Sequence, residues 1–110
     1  SVPPNADLVF DRSWAMTIVE NAVDTVATSM DEAGQGERFK RLAVYLQAGT
    51  EAPPYNDLAG ALGLTIAGVK TEVHRLRKRF RLALRTEVAR TVSAPHEIDI
   101  EMAHLHAVLL

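Results

Sequence analysis

Residues 55–81 read YNDLAGALGLTIAGVKTEVHRLRKRFR, and this stretch decides the fold. A short apolar run (Leu58, Ala59, Leu62) is followed by Gly63, then by Leu64-Thr65 and a long basic amphipathic pattern. The order is small-residue helix, glycine turn, second helix. Close packing of the first helix on the second favours Ala at position 59. A sharp reversal needs a positive φ, which favours Gly at 63. The second helix must then bury an aliphatic residue near its start, supplied by Val69. Thr65 is the expected N-cap, since its hydroxyl reaches a backbone N–H of the first turn. These are the requirements of a helix-turn-helix, which presents its second helix to the major groove of DNA.

Stepping 100° per residue from Ile66 separates two faces of the second helix. Ile66, Val69, Val73, Leu76, Phe80 and Leu84 form the expected core stripe. Ala67, Thr71, His74, Arg75, Lys78 and Leu82 fall opposite, with Lys70 and Arg77 flanking one edge of the core and Arg79 and Glu72 the other. The outward face runs from small residues through donors to bases. A helix laid in a groove needs that gradient, because its N-terminal half meets base edges and its later half meets phosphates. Arg75 matches the O6 and N7 acceptors of guanine, and Thr71 offers a methyl or hydroxyl to thymine or a polar edge. Glu72 has two readings: an acceptor for cytosine N4, or a partner that aims Arg75 from one turn away.

Outward from this stretch the chain is helical throughout. Trp14, Ile18, Ala22, Val26 and Met30 recur every fourth residue beside Ala15, Val19, Val23 and Ala27, a broad stripe expected to start near Phe10 or Asp11 and stop at Gly34 and Gly36. Phe39, Leu42, Ala43 and Leu46 mark a second helix ended by Gly49. Thr50 to Pro54 is a loop, because Pro53-Pro54 cannot continue a helix. The long helix is expected to run to about Thr91. Ser93-Ala94-Pro95 breaks the chain, Pro95 suits a first helical turn, and Glu97, Asp99 and Glu101 suit its dipole. Leu105, Val108 and Leu109 give this last helix a face to bury. The expected fold is all-α, with about five helices, a helix-turn-helix core over 55–81 and a helical extension over 93–110. Residues 1–9, with Pro3-Pro4-Asn5, read as a linker remnant, and the chain as a piece of a longer protein whose domain spans 10–110.

With 110 residues the chain suits one domain. It has no cysteine, which excludes a disulfide framework and thiol chemistry and suits a reducing cytoplasm. No apolar run approaches the roughly 20 residues of a membrane span, and the expected location is intracellular. The net charge of −2 hides a segregation. Residues 1–36 carry Asp7, Asp11, Glu20, Asp24, Asp31 and Glu32 against Arg12. Residues 70–90 carry Lys70, Arg75, Arg77, Lys78, Arg79, Arg81, Arg85 and Arg90 against Glu72 and Glu87. A basic segment of this kind is the footprint of a polyanion-binding face.

Taken together, Tyr55-x-x-Leu58-Ala59-x-x-Leu62-Gly63-Leu64-Thr65, then Val69-Lys70, then His74-Arg75-Leu76-Arg77-Lys78-Arg79-Phe80 resemble region 4 of bacterial RNA polymerase sigma factors, the extracytoplasmic-function class above all. Phe10-Asp11-Arg12-Ser13-Trp14-Ala15 before and Leu84-Arg85-x-Glu87-Val88-Ala89-x-Thr91-Val92 after are similar to a sigma-like subgroup with an extended C-terminal tail. The resemblance implies binding of the −35 promoter element in transcription initiation and docking on the β flap of the polymerase core, with an anti-sigma factor as a further possible partner. It implies base contact by Ala67, Gly68, Thr71, His74 and Arg75, and phosphate contact by Lys70, Arg77, Lys78, Arg79 and Arg81. It also implies that the promoter-opening domain lies elsewhere. Ile66 departs from the acidic residue, and Glu72 from the small or basic one, that many relatives carry.

Two other readings stand beside this one: a helix-turn-helix that docks on a protein without reading DNA, and the output domain of another regulator dimerising on paired half-sites. An enzyme is not expected. There is no phosphate loop, nucleophile elbow or paired carboxylate set. His74, His96, His104 and His106 do not converge, since His106 lies about 200° from His104 around its helix. No metal or cofactor is expected.

Overall fold

A computed structural model describes residues 4–46 and 52–109. It contains five α-helices: α1 (Pro4–Glu32), α2 (Gly36–Leu42), α3 (Tyr55–Leu62), α4 (Ile66–Ala89) and α5 (Glu97–Leu109), with a 3₁₀ turn at Ala43–Leu46 after α2. No strand occurs among the described residues, so the fold is all-α as the periodicity required. No described helix is long and apolar enough to cross a membrane. The chain divides into two compact units, Val26–Arg81 and Ser1–Thr25 with Leu82–Leu110.

The central unit, Val26–Arg81, is built on two glycine-terminated helices. At the end of α1, Gly34 adopts φ +76°, Gln35 N–H reaches the Met30 carbonyl at 2.7 Å and Gly34 N–H that of Asp31 at 3.0 Å. This is the paired bonding that closes a helix on a left-handed residue. At the end of α3, Gly63 has φ +67° and Leu64 N–H reaches the Ala59 carbonyl at 3.0 Å. The buried side chains of this unit are Val26, Met30, Leu42, Tyr45, Leu58, Ala59, Val69, Val73 and Leu76. Leu42, Val69 and Val73 are almost wholly enclosed, and each such side chain contributes about 1.5–3 kcal/mol relative to exposure. Tyr45 closes the unit on the α3 side. Its hydroxyl donates to the Pro53 carbonyl, and its ring meets that of Tyr55 edge-on at 5.3 Å.

The other unit gathers Ala15, Ile18, Val88 and Leu105 into a buried cluster, with Trp14, Leu84, Val92, Ile98, Met102 and Val108 packed around it. Glu87 is buried here as well, accepting from Arg90 Nη1 at 3.0 Å and from Asn21 Nδ2 at 3.5 Å. Asp99 of α5 meets Arg85 of α4 at 2.6 Å.

The structure corrects several boundaries. Residues 4–9, read as linker, are the first turns of α1, because a proline in the first helical turn loses no bond and already has a helical φ. The second helix gives way to a 3₁₀ turn from Ala43, and its expected end at Gly49 lies outside the described residues, as does Thr50. Helix α4 stops at Ala89 rather than Thr91. Arg90 and Thr91 donate to carbonyls three residues back, which tightens the final turn. Pro95 lies in the turn before α5, where the Ala94 and Pro95 carbonyls accept from Glu97 and Ile98. Ile66 leaves the expected core stripe altogether, at 56 % exposure. It is the first residue of α4, and a helical side chain leans toward the N-terminus, past the packed part of the helix.

Candidate nucleic-acid interface

Three local features set the start of α4. The Thr65 hydroxyl accepts the Gly68 N–H at 3.0 Å, satisfying one of the helix's unpaired donors. Val69 N–H reaches the Thr65 carbonyl at 3.0 Å, closing the first turn. Behind that turn, Val69, Val73 and Leu76 are buried at positions i, i+4 and i+7. This leaves the opposite side of the helix without cover within the unit.

Ala67, Lys70, Thr71, His74, Arg75 and Lys78 are all exposed. Ala67, Thr71, His74, Arg75 and Lys78 lie at spacings of four, three, one and three along α4, which puts them in one stripe. The Thr71 hydroxyl donates to the Ala67 carbonyl at 3.1 Å, so its hydrogen is used inside the helix while its methyl and oxygen lone pairs stay available. Arg79 and Arg81 are exposed too. Leu82, expected on the same outward face, is exposed in the other unit.

Gly68 is placed differently from the other residues expected at base edges. Its N–H is held by Thr65. A Cβ added there would sit 3.2 Å from Thr65 Oγ1 and 3.5 Å from Leu64 Cβ. Position 68 therefore permits the close return of the chain from the turn onto the helix. Arg77 also has a structural partner: its Nε donates to the Tyr45 carbonyl at 3.2 Å, joining α4 to the 3₁₀ turn.

Glu72 is where the sequence left two readings, and its carboxylate has two arginine partners. Oε1 lies 3.3 Å from Nη1 of Arg75, one turn along α4, and Oε2 lies 3.6 Å from Nη1 of Arg38 on α2. Arg38 was not among the residues singled out by sequence. It sits in a short helix whose apolar positions Phe39 and Leu42 show which side packs but not which distant carboxylate a neighbouring arginine meets, so the local pattern carries no signal of this contact. A cavity in the same unit is lined by Met30, Gln35, Arg38, Leu42, Glu72, Arg75, Leu76 and Arg79.

The histidines other than His74 lie in the second unit or the turn before α5. His104 stacks on Trp14 with ring centroids 5.6 Å apart, and its Nδ1 is 3.5 Å from Glu101 Oε2. Among the described residues no group of three His, Cys, Asp or Glu side chains is placed to hold a metal ion. Compared with protein-family models, with characterised proteins and with solved structures, the chain finds no match.

Proposed function

We propose that this chain is a promoter-recognition domain of the sigma region-4 type, with α4 as the helix that enters the major groove at the −35 element. In this reading Arg75 and Thr71 contact bases, with Ala67 allowing close approach and His74 adding a polar contact. Lys70 and Lys78 hold phosphates, joined by Arg79 and Arg81 along the basic run. The polymerase core is the partner that would carry the domain to DNA.

The observation that carries the reading is the pairing of a capped, glycine-turned entry into α4 with an exposed stripe of Ala67, Thr71, His74, Arg75 and Lys78. The rigid start fixes where the stripe lies, and its order of small, polar and basic side chains matches a groove that is narrow at its floor and anionic at its rims. Glu72 moderates the charge at one edge without occupying the stripe.

The exposed Ile66 at the head of α4 favours a second reading, docking of this face on a protein. Selection of duplexes from a random DNA library separates the two. Enrichment of one short motif supports promoter recognition. Retention of duplexes without any motif, lost at modest salt, supports protein docking and overturns sequence reading, because sequence-blind binding is almost wholly electrostatic.

A further inference from the structure

The Glu72 carboxylate is held by guanidinium groups from two different helices, and the arrangement is asymmetric. The Glu72 side chain is 21 % exposed and that of Arg38 30 %, whereas the Arg75 side chain is 69 % exposed. Two of the three groups are thus part of the packed unit, and the third projects from it. The contact to Arg75 uses Nη1, and a guanidinium carries five N–H donors. A bidentate contact to guanine O6 and N7 requires only a pair of them.

We propose that Glu72 is a positioning residue for base discrimination. Anchored through Arg38 to α2, it holds the Arg75 guanidinium from behind and leaves the forward donors for a guanine edge. The inference rests on the promoter-recognition reading and deepens it. A free arginine side chain carries large rotamer entropy, which must be lost when it grips a base. A side chain already ordered in the unbound protein loses less, and the saving goes to the contact that requires that geometry. The same carboxylate sits beside a basic face and repels DNA phosphates of every sequence. Glu72 therefore trades general affinity for discrimination, and the trade has a signature.

The test uses the full chain, the motif selected by the wild-type protein and a scrambled duplex. Glu72→Gln keeps the side-chain volume and removes the charge. The expected result is tighter binding to the scrambled duplex, with discrimination at one G·C position reduced about fivefold or more. That position is the one blurred by Arg75→Ala. Arg38→Met, which removes the anchor and leaves Glu72 and Arg75 in place, blurs the same position and carries the test if Glu72→Gln fails to fold. A carboxylate that merely stabilised the fold would weaken binding to both duplexes alike, with the motif still sharp, and that result overturns the inference while promoter recognition stands. Blurring at a different position means that Glu72 touches bases itself, and overturns it equally. A wild-type protein that selects no motif overturns the promoter reading and this inference with it.

Discussion

Arg77 Nε donates to the backbone carbonyl of Tyr45 at 3.2 Å, across 32 positions of sequence. One arginine of the basic run thus ties α4 to the turn that follows α2, through a part-buried bond made by an otherwise exposed residue. A hydrogen bond from a charged group contributes about 1.5–3 kcal/mol. Arg77→Ala is expected to lower unfolding stability by that order, measured by urea denaturation. A loss below about 0.5 kcal/mol would mean that the bond is replaced by water at no cost.

Lys78 provides the contrast. It is exposed and forms no ion pair among the described residues. Lys78→Ala is expected to leave stability within about 0.5 kcal/mol, to weaken binding to all duplexes alike and to reduce the salt dependence of affinity by about one unit. The logarithm of the dissociation constant against that of salt concentration reads it directly. An unchanged slope removes Lys78 from the phosphate contacts.

The entry to α4 is testable without DNA. Thr65→Ala removes the acceptor for the Gly68 N–H and is expected to cost about 1 kcal/mol, while Thr65→Ser should retain most of it. Thermal melts of the two variants decide this. Equal melting temperatures for Ala and Ser would show that the cap bond adds nothing.

What could be read from the sequence follows the range of each interaction. Gly63 and Thr65 were legible because a positive φ and an N-cap are demands made within a few residues. Val69, Val73 and Leu76 were legible because burial on a helix repeats with its turn, and so were Ala15, Ile18, Ala22, Val26 and Met30. Ile66 fits the same period and yet is exposed, because periodicity carries no information on where packing stops. The beginning of α1 was hidden because Pro4 reads as linker but is compatible with a first turn. Arg77 to Tyr45, Arg38 to Glu72 and Asn21 to Glu87 each join segments far apart in sequence. No local pattern distinguishes such an arginine or glutamate from a solvated one, which is why Arg77 read only as a phosphate ligand and Glu72 kept two readings.

Tyr45 gives the chain a pH dependence in the alkaline range. Burial pushes its hydroxyl above the ordinary value of 10.0, and the neighbouring Tyr55 and Asp57 push in the same direction. The unfolded chain therefore releases this proton at lower pH than the folded one. Stability attributable to Tyr45 is complete below pH 10.0 and declines as pH rises through the folded-state value. The tyrosinate absorbance that Tyr45→Phe removes should titrate above the ordinary value of 10.0, and Tyr45→Phe should flatten the fall in stability above pH 10.0. An identical alkaline slope in Tyr45→Phe would contradict this.

The most direct measurement of the central claim compares wild-type protein and Arg75→Ala on the selected duplex, on its single-base variants and on random duplex at fixed salt. The expected result is a loss of about 1–3 kcal/mol on the selected duplex, with preference relaxed at one base pair and random binding weakened far less. An equal loss on selected and random duplexes would contradict base reading by α4, leaving Arg75 as one more charge on a solvated face.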